Sequence, residues 1–387
     1  MNDIVFNARV IEKGIDGFGN VVILDNTEFY PDGKGGQLGD RGLIGISKIL
    51  KITEDEKGRI LHYVDVLPES GIVTCKIDVL RRKDISIQHT AQHILSQSFV
   101  KLFNIETVGF HMGEDYTTVD FSIDKIQEDF IFKAEDFANE IVLENRLVKK
   151  YFVSENDLPK LDLRKKGHIK GNIRIVEIEG FDISMCGGTH VDFTGEIGII
   201  KIVKQEKIRK TYARLYFVAG LRALRDYRKK ACMLSNISQL LTSGEGDVFN
   251  KIQCILDENK ALIKGNKTLK EELFEYIAND FVKNAEQIGE VEFIARFVNY
   301  SKEDVSLLGR LLSKREKLIS LILGREINIF GSLICGPHVS LNAETIKTTL
   351  SDVIMRSWEN KGTIFFEFKE GISVDNIINL VKNSLKG

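Results

Sequence analysis

The sequence predicts a multidomain α+β protein: an N-terminal β-barrel-like domain, an α+β core, a helical or coiled-coil linker and a small C-terminal α/β domain. Three observations carry this expectation. Short apolar runs bounded by turn residues fill the N-terminal part. Helical spacing then mixes with period-two alternation up to about residue 220. A long run of three- and four-residue apolar steps follows, after which alternation returns. The expected boundaries are 1–84, 85–220, 221–285 and 286–387, since 387 residues are too many for one ordinary core.

In the first domain, Val21–Leu24, Gly42–Ile46 and His62–Val66 read as strands, and the β-domain ends near Arg82. Between the first two lies a glycine-rich loop, Tyr30-Pro31-Asp32-Gly33-Lys34-Gly35-Gly36-Gln37. From Ile85 the spacing of Ile87, Ala91, Ile94, Leu95 and Phe99 predicts a helix, with Asp84 or Ser86 as N-cap. Val119, Phe121 and Ile123 alternate as a strand, and Phe130–Leu147 reads as a second helix. Strands follow at Ile173–Ile178, Ile197–Val203 and Ala213–Val218.

Leu221 to about Lys283 reads as helix with a break at Ser243-Gly244-Glu245-Gly246. Beyond the break, Ile252, Ile255, Leu262, Leu269, Leu273 and Tyr276 keep steps of three and four, with Asn259 and Asn266 at the remaining inward positions. That is the pattern of a two-stranded coiled coil, in which Asn fixes register. Pairing with the helix before the break is the alternative. In the last segment Ile327–Ile334 and Thr363–Phe368 read as strands, and Ala343–Trp358 and Val374–Leu385 as helices.

Apolar residues make up 43% and charged residues 28%, as in an ordinary globular protein. No run of about 18 apolar residues predicts a membrane span. The start, Met1-Asn2-Asp3-Ile4-Val5-Phe6, lacks a signal-peptide pattern. Five scattered cysteines argue against a disulfide framework, so a cytoplasmic location is expected. The net charge of −2 balances 54 basic against 56 acidic residues, so a nucleic-acid surface has to be a local patch.

His89-Thr90-Ala91-Gln92-His93 places two imidazoles four residues apart on the predicted helix. Four residues turn a helix by ~400°, so both rings leave one face about 6 Å apart in height. Cys186-Gly187-Gly188-Thr189-His190 sets a thiolate and an imidazole across a turn whose glycines permit a tight bend. The two motifs hold three of the seven histidines. His89, His93, Cys186 and His190 together offer three nitrogens and one sulfur, a set suited to tetrahedral Zn²⁺. A filled tetrahedral site is normally structural, whereas a catalytic one keeps a position open. Either one of the four does not ligate, or the zinc expands its shell, or it only organises the pocket; the sequence leaves these open.

These motifs resemble those of the alanyl-tRNA synthetase editing domain and its free-standing AlaX-type relatives. Thr27-Glu28-Phe29-Tyr30-Pro31 through Gly35-Gly36-Gln37-Leu38-Gly39-Asp40 is similar to the family's Thr-x-Phe-Tyr-Pro-x-x-Gly-Gly-Gln signature, with Lys34 as an extra residue. The two metal motifs follow in the family's order across roughly residues 1–220. The C-terminal part is similar to long AlaX forms and to the synthetase's C-terminal domain. There the family's glycine-rich stretch is reduced around Asn360–Phe366 to Gly362, which favours a dimerising role over nucleic-acid contact.

The resemblance implies a trans-editing hydrolase that deacylates mischarged tRNA(Ala), chiefly Ser-tRNA(Ala) and also Gly-tRNA(Ala), using Zn²⁺. It implies the tRNA(Ala) acceptor end as partner; the coiled-coil spacing and the reduced glycine stretch add the expectation of a homodimer through the helical linker or C-terminal domain. Thr27 is expected to contact the serine hydroxyl, which would disfavour alanine. Gln37 is expected to position water or the ribose end. Arg81, Arg82 and Lys83, with Lys201, Lys204, Lys207, Arg209, Lys210 and Arg214, would meet acceptor-stem phosphates. Tyr212 is a candidate for stacking on the terminal base. No Gly-x-x-x-x-Gly-Lys-[Ser/Thr] signature is present, so aminoacylation is not expected. One rival is a non-enzymatic tRNA-binding or regulatory protein with a structural zinc. The other is an editor of another aminoacyl-tRNA, against which the Phe-Tyr-Pro…Gly-Gly-Gln segment argues.

Overall fold

The fold is that of a computed structural model describing residues 3–165, 171–209, 211–339, 341–360 and 362–385. The chain divides into two compact units, Met1–Ile237 and Ser238–Gly387.

The first unit opens with six strands: β1 (Val5–Asp16), β2 (Gly19–Leu24), β3 (Gly42–Ile44), β4 (Ser47–Glu54), β5 (Ile60–Val64) and β6 (Gly71–Ile77). They close into a barrel of order β1-β2-β5-β4-β3-β6 around Val22, Ile44, Ile49, Ile52 and Cys75. Closure leaves no unpaired edge.

The helix α1 (Val79–Phe103) follows at once and starts two turns before the expected Ile85. Its N-cap is Asp78, which accepts the backbone N–H groups of Leu80 and Arg81, not Asp84 or Ser86. The first turns escaped the hydrophobic pattern because they bind the barrel through charge. Arg81 Nε donates to Gly39 O at 2.9 Å, and Arg82 Nε to Asp40 Oδ1 at 2.6 Å. The expected boundary at residue 84 therefore falls inside a helix.

Next come β7 (Thr107–Met112), β8 (Thr117–Phe121), α2 (Glu128–Leu143), β9 (Val148–Ser154), β10 (Asn172–Ile178), β11 (Asp182–Met185), β12 (Ile200–Arg209) and β13 (Tyr212–Ala219). They form two sheets, β12-β13-β8-β7 and β11-β10-β9. The inward positions of β8 and β13 (Val119, Phe121, Ala213, Leu215, Phe217) share one core with Ala91, Leu95 and Phe99 of α1 and Ala138 and Ile141 of α2. The second helix stops at Leu143 rather than Leu147, because Asn145 takes a left-handed conformation at φ 52°. The strand expected from Ile197 begins at Ile200, after a short 3₁₀ turn.

The helices α3 (Leu221–Leu240) and α4 (Val248–Lys283) flank the expected break. The predicted stripe on α4 is exposed, with Leu262 at 72%, Leu269 at 67% and Tyr276 at 77%.

The second unit carries β14 (Glu286–Ile288), β15 (Val291–Phe297), α5 (Lys302–Leu312), β16 (Leu318–Arg325), β17 (Ile329–Cys335), α6 (Ala343–Thr349), β18 (Ile354–Asn360), β19 (Thr363–Phe368) and α7 (Val374–Ser384). They build a sheet of order β14-β15-β16-β17-β19-β18, parallel only between β15 and β16. The core beside α5 and the end of α4 holds Phe274, Ile294, Leu308 and Phe330, and the core beside α6 and α7 holds Leu321, Leu333, Phe366 and Ile377. The helix expected over Ala343–Trp358 is a correction: it ends at Thr349, and Ile354–Asn360 is an edge strand. Backbone pairing with β19 and stacking of Trp358 on Phe365, centroids 5.4 Å apart, outweigh the local helical spacing. Lys361, in the reduced glycine stretch, lies outside the described residues. Among the described residues no helix is long and apolar enough to cross a membrane.

Candidate metal centre

One turn of α1 and the turn after β11 meet beneath the glycine-rich loop. The ligand atoms of His89, His93, Cys186 and His190 all lie within 4.8 Å of one another. Cys186 Sγ is 3.4 Å from His89 Nε2 and 3.3 Å from His190 Nε2. The three histidines are buried, and Cys186 is half-buried.

Each histidine is held through Nδ1. His89 Nδ1 lies 2.7 Å from Gln37 Oε1. His93 Nδ1 lies 3.1 Å from Asp182 Oδ2, and His190 Nδ1 lies 3.1 Å from Thr90 Oγ1. The Thr90 hydroxyl spends its own proton on Ser86 O at 2.9 Å, so it accepts from His190. Amide and carboxylate oxygens are acceptors too, so all three Nδ1 atoms donate and all three Nε2 atoms present lone pairs to the cluster. Orienting partners of this kind are what metal-bound histidines require.

The electrostatics favour a thiolate at Cys186, and favour the neutral ring at His89 and His190 but not at His93. Burial raises the Cys186 thiol, but the charge of His89 and hydrogen bonds from the histidines override it and hold it far below its ordinary value. Burial lowers His89, and lowers His190 further. Burial also opposes protonation of His93, yet its bond to Asp182 raises it overall. Asp182, despite burial, is lowered by His93 and Arg164. The set of one soft anionic sulfur and three oriented nitrogens fits a zinc ion.

The Cys186 turn is anchored by Arg174, whose Nη1 donates to Cys186 O and Gly188 O at 2.8 Å each. Neither of its glycines has a positive φ, and only Gly188 is required, for space rather than for the bend. A Cβ on Gly188 would sit 2.2 Å from His89 Cε1 and 2.6 Å from Gln37 Oε1, whereas one on Gly187 would meet nothing within 4 Å. Gly36, at φ 76°, lets the glycine-rich loop pass Phe110, whose carbonyl would lie 2.7 Å from a Cβ there. Phe110 in turn stacks on His89, centroids 5.2 Å apart. The extra Lys34 is accommodated outside the cluster, with Nζ 2.7 Å from Glu54.

A cavity of about 510 Å³ reaches His89, His93 and Cys186, with Thr107, Phe110 and Arg164 among its walls. Gln37 stands behind His89, almost fully buried, and its Nε2 has no partner among the described residues. Thr27 sits on the barrel. It does not line this cavity, and its hydroxyl is 3.0 Å from His62 Nε2 while accepting Phe29 N–H at 3.2 Å. The barrel fold sets it against His62 of β5.

The basic runs are largely neutralised within the fold. Arg81 pairs with Glu114, Arg82 with Asp40 and Lys83 with Glu196. Lys201, Lys204, Lys207 and Arg214 pair with Glu135, Glu206, Asp124 and Asp120. Arg209 ends β12, and Lys210 lies outside the described residues. Sequence reasoning missed Thr90, Asp182, Arg174 and Phe110. A charged residue within an apolar alternation was the only local sign of Asp182 and Arg174.

Residues 173–216 match the family described as the threonyl and alanyl tRNA synthetase second additional domain. The alanyl-tRNA editing protein AlaX-L of Pyrococcus horikoshii is 30% identical over 351 residues, 86% of this chain and 84% of that protein. The alanine–tRNA ligase of Pyrococcus furiosus is 31% identical over 330 residues, 82% of this chain but 36% of the ligase. That of Methanococcus aeolicus is 28% identical over 86% of this chain and 38% of its own. The chain thus spans well under half the length of the ligases it matches. The solved C-Ala domain of Aquifex aeolicus alanyl-tRNA synthetase aligns with 27% of this chain and 98% of its own at 17% identity, with a TM-score of 0.25, too low to bear on the fold.

Proposed function

The chain belongs to the alanyl-tRNA editing proteins of the AlaX-L kind, and from that premise we propose that it hydrolyses the ester of mischarged tRNA(Ala) in the cavity above the His89–His93–Cys186–His190 cluster. The observation that carries this reading is the convergence of three imidazoles and one thiolate on one point, with His89, His93 and Cys186 of that set opening onto the cavity. His89, His93, Cys186 and His190 would hold a zinc ion, which supplies Lewis acidity toward an ester carbonyl or its attacking water.

The protein's own residues do the rest. Gln37, Asp182 and Thr90 keep the imidazoles in one tautomer. The Phe110 ring covers His89 and keeps bulk water from that side. Gln37 Nε2 is a buried donor that a substrate oxygen or a bound water would satisfy. Thr107, rather than Thr27, is the partner we assign to the serine hydroxyl. It lines the cavity, and its Oγ1 is buried without a partner among the described residues. An aminoacyl ester is already activated, so positioning and modest polarisation suffice.

A purely structural zinc in a tRNA-binding protein is the second reading, favoured by the four complete donors. The two are separated by incubating the protein with Ser-, Gly- and Ala-tRNA(Ala), with and without a chelator, beside Cys186→Ala. Selective loss of the serine or glycine ester, abolished by chelation, supports the hydrolase. Inert metal-loaded protein sinks it in favour of the binding module.

A further inference from the structure

The first half of α3 carries Arg222, Arg225, Arg228, Lys229 and Lys230 against one acid, Asp226. Two of these cations are spent within the fold. Arg222 is 5% exposed. Its Nε and Nη2 donate to Asp84 Oδ2 at 2.9 and 2.7 Å, and its Nη1 to Gly113 O at 2.7 Å. Lys230 pairs with Asp226 at 2.6 Å. Arg225, Arg228 and Lys229 are exposed and have no ion pair or side-chain hydrogen bond among the described residues. They differ in this from Arg81–Lys83 and from Lys201, Lys204, Lys207 and Arg214, each of which meets a carboxylate.

The three free cations share one helix face at spacings of three and four. Like charges so placed repel and weaken a helix. They also lie toward the positive end of the helix dipole, and the first turn holds no acid to offset them. Their placement disfavours the free protein, and an anionic partner reverses the penalty.

The helix is fastened to both walls of the candidate site. Asp84 lies on α1, about 7.5 Å along the axis before His89. Gly113 follows β7, whose residues Thr107 to Phe110 wall the cavity. Gly220, at φ 58°, turns the chain from β13 into α3 so close to α1 that a Cβ there would sit 3.2 Å from Ile87 Cγ2. The exposed face of α3 is therefore held in a fixed relation to the cavity.

We propose that α3 holds the phosphate backbone of the RNA whose ester enters the cavity, with Arg225, Arg228 and Lys229 as its ligands. The inference rests on the aminoacyl-RNA reading above. A strand offers one negative charge per nucleotide, and such backbone contacts fix register and orientation without reading sequence.

The test is equilibrium binding of the full chain to an RNA hairpin with a single-stranded 3′ end, measured over a series of salt concentrations. The wild type is compared with a triple change, Arg225→Gln with Arg228→Gln and Lys229→Gln, and with a control in a neutralised run, Lys204→Gln with Lys207→Gln. The triple change touches only exposed side chains and removes repulsion, so its thermal unfolding should match or exceed that of the wild type. Its plot of log affinity against log salt should be shallower by about three, roughly one per lost phosphate contact. The control should keep the wild-type slope. Arg225→Lys with Arg228→Lys should keep it as well, because the slope counts charges and not guanidinium forks. An unchanged slope in the triple variant overturns the proposal, and so does a control that loses as much slope. A wild type that shows the α3-dependent slope yet releases no serine from Ser-tRNA(Ala) sinks the hydrolase reading and keeps this surface. Release of serine beside an unchanged slope in the triple variant does the reverse.

Discussion

Gln37 Oε1 accepts from His89 Nδ1 at 2.7 Å and from the Thr189 backbone N–H at 2.9 Å. One side chain from the barrel's glycine-rich loop thus binds both halves of the metal cluster. Gln37→Ala should leave the barrel intact but weaken zinc binding by roughly 10- to 100-fold, the usual effect of losing an orienting partner. Competition with a calibrated chelator measures this, and unchanged affinity would remove Gln37 from the positioning role.

Thr107→Val tests the hydroxyl assignment. Its Oγ1 has no described protein partner, so an isosteric change should cost little stability. Deacylation of Ser-tRNA(Ala) should fall by about tenfold or more while Gly-tRNA(Ala), which has no hydroxyl, is spared. Equal loss on both esters would refute the assignment.

Arg82 is read as a tether and not an RNA contact. Asp40 is almost fully buried and also accepts Tyr30 N–H at 2.6 Å. Arg82→Ala strands that carboxylate and should cost about 2–4 kcal/mol in a denaturant titration. The salt dependence of RNA binding should stay as it is in the wild type; a slope shallower by about one would make Arg82 a phosphate ligand.

His62 makes stability depend on pH. Burial pushes its imidazole down to about 4, and the unfolded chain titrates near ~6.5. The unfolded state therefore binds the proton first, and stability is lost as pH falls from about 6.5 toward 4. The full loss is about 3 kcal/mol at ~1.4 kcal/mol per unit. Unfolding curves of wild type and His62→Gln at pH 7 and 4.5 isolate it, because the metal ligands titrate in both. Parallel losses would show that His62 is not the cause.

The α4 stripe is a candidate seam for a second copy of this chain. A double change, Leu262→Asp with Leu269→Asp, touches only exposed side chains, so the fold should persist while any dimer dissociates. Light scattering reads the outcome, and an unchanged mass would exclude the seam.

Local sequence determined the element types wherever pattern and chemistry agreed. The helix around His89, the alternation of Ala213–Val218, the break between α3 and α4 and the four candidate ligands were all legible, because helical spacing and the two short motifs are local properties. The errors arose where distant groups outweigh local preference. The start of α1 is set by charged contacts to the barrel, and β18 exists because β19 offers it backbone partners. Tertiary structure alone decided that Thr27 faces His62, that Gln37 reaches His89 across 52 positions, and that Asp182 orients His93. It also decided that Arg81, Arg82, Lys83, Lys201, Lys204, Lys207 and Arg214 each pair with a carboxylate. Burial and hydrogen-bond partnership are properties of the packed chain, and no local spacing encodes which distant acceptor an imidazole will find.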